Sequence, residues 1–107
     1  MIKKENYEVE LDDKNKINIR IIKEHNKLVK FAINLSSYLN GKWHAVYRVD
    51  NYHGFLHEQK LWRTKKPIPL TTHEYASLSK VIKYYNYLIK QEYKKFREYF
   101  DEKLKNE

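Results

Sequence analysis

The stretch VKFAINLSSYLNGKWHAVYRVD, residues 29–50, decides the fold. In its first half Val29, Phe31, Ile33 and Leu35 alternate with Lys30, Ala32 and Asn34, the two-residue period of a strand that buries one face. Asn40-Gly41 then offers two positions that tolerate positive φ, as a type I′ hairpin turn demands, so a strand must return along the first. In the returning strand Trp43, Ala45, Tyr47 and Val49 share one face and His44, Val46, Arg48 and Asp50 the other.

The same period extends outward in both directions. Tyr7, Val9 and Leu11 alternate with Glu8, Glu10 and Asp12; after the turn-like DDKNK, Ile17, Ile19 and Ile21 alternate with Asn18 and Arg20. A turn at residues 24–26 joins this hairpin to the third strand. Beyond Asp50, residues 51–54 read as another turn, leading to a fifth strand within residues 55–62. Pro67 and Pro69 then close the β region, because each removes a ladder donor. Short connections throughout make an antiparallel meander of four or five strands over residues 7–66, its polar face open and carrying Arg20, Lys30, Asn34, His44 and Arg48.

A helix follows over residues 71–104. Thr71-Thr72-His73-Glu74 fits a capping box, with Leu70 and Tyr75 placed as a hydrophobic staple. Tyr75, Leu78, Val81, Ile82, Tyr85, Leu88, Ile89, Phe96, Tyr99 and Phe100 then step by three and four along one stripe. About 30 residues at 1.5 Å each make a rod of about 45 Å, longer than a globule of this size is wide. A kink, a break, or a partner chain, as in a homodimer through the helix, is therefore expected. The fold class is α+β, one domain over residues 1–107, with the C-terminal helix packed on one sheet face.

Composition limits the function. The 22 Lys and Arg against 14 Asp and Glu give a formal charge of +8, which favours polyanionic partners, nucleic acid first. The excess is densest in residues 41–70, with six basic side chains against two acidic ones. A low-GC genome or a hot habitat gives similar totals. With no cysteine, disulfide and thiolate chemistry are excluded, and a reducing, cytoplasmic setting is expected. No apolar run approaches the length of a membrane span, so no membrane role is expected.

Within that basic third, RVDNYHGFLH (residues 48–57) concentrates polar chemistry. His53 and His57 could exchange protons near neutrality, Arg48 could hold a phosphate bidentately, and Asp50 could orient one histidine. Together they contain the parts for metal-independent RNA cleavage through the 2′-hydroxyl, with Lys42 or Arg63 adding charge stabilisation. Equally, Asp50 and Asn51 are ordinary turn residues and Gly54 supplies a positive φ. Asp50, His53 and His57 are permissible zinc ligands, but residues four apart on a strand lie about 13 Å apart, so no metal or other cofactor is expected. Nearby, Lys60, Trp62, Arg63, Lys65 and Lys66 interleave cations with an aromatic ring, as single-stranded nucleic acid binders do; with Lys42 and His44 they form the expected binding set. The alternative is that Trp62 packs under the helix.

The order of Arg48, Asp50, Asn51, His53 and His57, followed by a C-terminal helix, resembles small prokaryotic and archaeal proteins of the TumE-like toxin group over residues 42–100. That resemblance implies a compact toxin-like protein acting on RNA or on the translation machinery and neutralised by a cognate antitoxin. The architecture is also similar to RelE-type ribonuclease toxins. The expectation is thus a small basic RNA-interacting protein, either a metal-independent endoribonuclease or a non-enzymatic adaptor.

Overall fold

Residues 1–71 and 76–107 are described by the structure, a computed structural model. Among these residues, six strands form one antiparallel sheet in sequence order: β1 (Ile2–Asp12), β2 (Asn15–Glu24), β3 (Lys27–Leu39), β4 (Lys42–Asp50), β5 (His57–Lys60) and β6 (Ile68–Pro69). One helix, α1 (Leu78–Lys105), follows and covers one face. Asn40 and Gly41 have φ of 52° and 80°, the pair that the type I′ turn requires, and His25 and Asn26 turn the preceding hairpin in the same way.

The sheet exceeds the expected meander by one strand. Ile68–Pro69 pairs with His57 and Glu58 at the far edge, where a proline removes no internal ladder bond. β1 is also longer than its alternation suggested, starting at Ile2 because IKKEN pairs with β2 as far as Glu24.

On the helix side, Ile17, Ile19, Phe31, Ile33, Leu35, Tyr47 and Val49 meet Val81, Tyr85, Ile89 and Phe100 in one core. Tyr47 and Trp62 stack with Phe96, at centroid distances of 4.9 and 5.0 Å from the phenylalanine ring, within the range of favourable aromatic pairs. Two polar contacts fix the far half of the helix: Arg97 Nη2 donates to the Tyr38 carbonyl at 2.9 Å, and the Tyr93 hydroxyl donates to Asp12 at 3.2 Å.

α1 is unbroken over 28 residues. No kink or partner is needed to accommodate it, because the 13-residue β3 lies beneath it and the molecule measures 45 Å along its longest axis. The length argument for a helix-mediated homodimer thereby disappears. The helix also starts later than expected. Ser77 is the N-cap, its hydroxyl accepting from the Lys80 N–H at 3.3 Å. Of the expected capping box, Thr71 to Glu74, and its staple, Leu70 with Tyr75, residues 72–75 lie outside the described residues. Among the described residues, no helix is long and apolar enough to cross a membrane.

The main departure lies in β4. Tyr47 pairs with Leu35 but Ala45 pairs with Ser36, leaving Val46 as the extra residue of a bulge. The bulge inverts the alternation towards the start of the strand. Trp43, expected on the core face, instead pairs with Tyr38 on the open face. His44, expected on the open face, turns to the helix side, with its ring 5.3 Å from Phe100 and its Nε2 3.0 Å from the Leu39 carbonyl oxygen.

Candidate nucleic-acid interface

Tyr38 has even parity on β3, opposite to the buried Phe31, Ile33 and Leu35, and therefore faces away from the helix. Its ring meets that of Trp43 edge-on at 5.6 Å, and Lys16 Nζ lies 4.4 Å from the Trp43 ring centroid. Trp43 remains 43% exposed. Further along the same face stand Asn18, Arg20, Asn34 and Arg48. The open side of the sheet is thus a polar surface with an aromatic pair at one end and basic groups along it.

At the other end, the turn after β4 folds the corner at residues 48–57 together. Asp50 and His57 are cross-strand partners, and both side chains are buried, at 1% and 2% exposure. The Asp50 carboxylate accepts from Arg48 Nε, from the Tyr52 backbone N–H at 3.0 Å and, through Oδ1, faces His57 Nε2 at 3.2 Å. The other His57 nitrogen, Nδ1, lies 3.2 Å from the Phe55 carbonyl oxygen. Both ring nitrogens face acceptors, so both bonds form together only when the ring carries two protons. Arg48 Nη1 donates to Asn34 at 3.0 Å, and its guanidinium carbon lies 5.9 Å from the Tyr52 ring centroid. This brace leaves the rest of its five donors for a ligand. His53 stacks on His57 at 5.5 Å and is exposed, with no hydrogen bond to its ring among the described residues. Gly54 holds φ of 87° and returns its N–H to the Asn51 carbonyl at 3.2 Å, closing the turn.

The four candidate catalytic residues therefore converge, with unequal access. Arg48 and His53 reach the surface, whereas Asp50 and His57 form the support beneath them. Asn51 lies beside the cluster and acts on the backbone: its Oδ1 accepts from the Phe31 N–H at 2.9 Å and its Nδ2 donates to the Val29 carbonyl at 3.2 Å. Among the described residues, no group of three His, Asp or Glu side chains could hold a metal ion.

The second basic set lies elsewhere. Lys60, Trp62 and Arg63 line a groove of about 290 Å³ on the helix side, with Tyr47, Glu58 and Tyr99 among its other walls. Trp62 is packed against Tyr47 and Phe96, so it is not the free stacking platform that the sequence suggested. In this groove the Tyr47 hydroxyl donates to Glu58 at 2.5 Å, and burial, followed by that carboxylate, pushes the phenol above its ordinary range. Lys60 pairs with Glu58 at 3.7 Å. Lys65 and Lys66 belong to the loop before β6, where the Lys65 carbonyl accepts from Gln59 at 2.8 Å and the Lys66 N–H donates to Thr64. Lys42 is exposed at the start of β4.

Sequence reasoning missed Trp43, Tyr38, Lys16 and Tyr52. For the first two the signal was present: counting out from Asn40-Gly41 pairs Leu39 with Lys42 and Tyr38 with Trp43, and the parity of Tyr38 fixes the face of both.

A family model, the domain of unknown function DUF7718, matches residues 1–106. The chain belongs to this family. The match spans the sheet and the helix together. No curated protein and no solved structure matches the chain.

Proposed function

We propose that this DUF7718 protein binds single-stranded RNA across the open face of its sheet. The observation that carries the reading is the exposed Trp43 beside Tyr38 and Lys16 on a face that also presents Arg20 and the braced Arg48. Unpaired bases stack on aromatic rings while nearby cations hold the phosphates, and base–aromatic stacking is worth about 1–3 kcal/mol per base. A duplex hides its base faces, so single strands are preferred. The net charge of +8 adds a salt-dependent attraction. The lack of cysteine agrees with action in the cytoplasm, where RNA is met.

The test uses the two tryptophans. In a Trp62→Phe variant, Trp43 is the only tryptophan, and titration with a short single-stranded RNA is expected to quench its fluorescence. Equal-length duplex RNA and single-stranded DNA serve as competitors. An unchanged signal at low salt would overturn the proposal, and stronger binding of single-stranded DNA would reassign the ligand.

A second reading, metal-independent cleavage of the bound strand, is favoured by the convergence of Arg48, Asp50, His53 and His57. His53 is the histidine placed to exchange a proton with substrate, because its ring is exposed whereas that of His57 is buried beneath it. In this reading Arg48 holds the scissile phosphate while Asp50 and His57 keep Arg48 and His53 in position. Labelled RNA in EDTA is expected to be cut by the wild-type protein and left intact by His53→Ala. Binding without cutting by both proteins leaves a non-enzymatic RNA adaptor. A toxin role additionally requires a cognate antitoxin, which would suppress that cleavage when co-expressed.

A further inference from the structure

The two edges of the sheet are built differently. β6 is two residues long and contains Pro69, which blunts its capacity to pair. β1 runs for 11 residues without Pro or Gly, and among the described residues only β2 pairs with it. Every second residue of such a strand directs its N–H and C=O away from the sheet, so an added strand would find a ready ladder. Isolated edges are commonly protected by charged side chains, lysine above all. β1 instead carries both signs in an ordered array.

Its open-face side chains are Lys4, Asn6, Glu8 and Glu10, opposite Ile22, Arg20, Asn18 and Lys16 on β2. Glu8 is already paired with Lys16 at 3.0 Å, and Asn6 accepts from Asn18 at 2.7 Å. Lys4 and Glu10 have no ion-pair partner among the described residues. They lie three positions on either side of Tyr7, whose ring is 48% exposed on the other face. An antiparallel copy of β1 centred on Tyr7 would put each Lys4 directly opposite the other chain's Glu10, and Tyr7 opposite Tyr7. Directly opposed residues in such a ladder have Cβ atoms about 4.5–5.5 Å apart, within reach of both contacts.

We infer that the protein forms a two-fold dimer through β1, a second copy extending the sheet to twelve strands by antiparallel pairing in the register Lys4 to Glu10. The two-fold axis makes the contact self-complementary, each ion pair occurring twice. The two open faces then run together into one continuous surface. This inference rests on the edge and its charges and does not depend on what the open face binds.

Sedimentation of the purified full chain tests it. A dimer is expected for the wild-type protein. Lys4→Glu and Glu10→Lys alone are each expected to weaken dimerisation at least tenfold, and the double variant Lys4→Glu/Glu10→Lys to restore it. Because the chain has no cysteine, Tyr7→Cys provides an independent reading of register: mild oxidation is expected to link two chains, while Glu8→Cys links them far more slowly. A wild-type protein that stays monomeric at high concentration overturns the proposal. So does a dimer indifferent to both charge reversals, or one that the double variant fails to restore.

Discussion

Replacing Asp50 by alanine removes the one acceptor shared by three donors. Two of them, His57 Nε2–H and the Tyr52 N–H, lie where water does not replace the carboxylate, since Asp50 and His57 are almost fully buried. Each buried donor left without a partner costs about 1–3 kcal/mol. Arg48 is different, because its side chain is 28% exposed and retains the 3.0 Å bond to Asn34, so water recovers much of its loss. Summing the two buried terms with a small remainder for Arg48 gives about 2–6 kcal/mol, a range centred on the roughly 3–5 kcal/mol for removing one member of a buried ion pair. Against a typical total stability of about 5–15 kcal/mol, the variant is expected to fold marginally and unfold at much lower urea. Asp50→Asn keeps one acceptor oxygen but turns an NH₂ towards a donor, and is expected to lose roughly half as much. Urea titration followed by circular dichroism measures both, with Asp13→Ala in the exposed β1–β2 turn as a control expected to stay within about 0.5 kcal/mol. Because Asp50 and His57 act as a unit, the double variant Asp50→Ala/His57→Phe should lose less than the sum of the two singles. A loss below about 1 kcal/mol for Asp50→Ala would refute the idea that this pair is the support of the corner.

Further outcomes follow from other parts of the molecule. Trp43→Ala is expected to leave thermal stability nearly unchanged, because the ring is half exposed, yet to weaken single-stranded RNA binding by roughly 5- to 150-fold, the equivalent of about 1–3 kcal/mol of stacking; filter binding measures it. Arg20→Gln should lower affinity and reduce the slope of log K against log salt by about 0.7, the value for one phosphate contact on a single strand. Asp12 is raised by burial, but hydrogen bonds from the Lys14 N–H, the Asn15 amide and the Tyr93 hydroxyl outweigh this and hold its carboxyl below 3.8. Its contribution to stability is therefore present above that value and lost as pH falls through the lower folded value, so Asp12→Asn should flatten the acid limb of stability against pH. Ser77→Ala removes the helix cap and should cost about 1 kcal/mol in thermal unfolding.

Most of the sheet was legible because period-two alternation and the Asn40-Gly41 turn are local signals. The position of the bulge at Val46 was not, since nothing in KWHAVYRVD marks where one extra residue is inserted; alternation counted back from Val49 therefore exchanged the faces of Trp43 and His44, which counting out from the turn would have set right. The length of α1 was read correctly as too great for a spherical globule, but a long β3 rather than a kink accommodates it. At the corner, the residue types were visible and their roles were not. Asp50 meets His57 because the turn after β4 sets their register, and a strand distance counted along the chain cannot show that two residues are cross-strand neighbours. In the basic loop the sequence left two readings of Trp62 open, and its ring takes the packed one, held by Phe96.

The most direct test of the central claim is photocrosslinking of a short single-stranded RNA to the wild-type protein, followed by mass spectrometry of the peptides. RNA adducts are expected on the peptides that carry Tyr38, Trp43 and Tyr52, all on one side of the sheet. Adducts confined to α1, at Tyr87 or Tyr99, or to residues 60–66, with none on that face, would contradict the account.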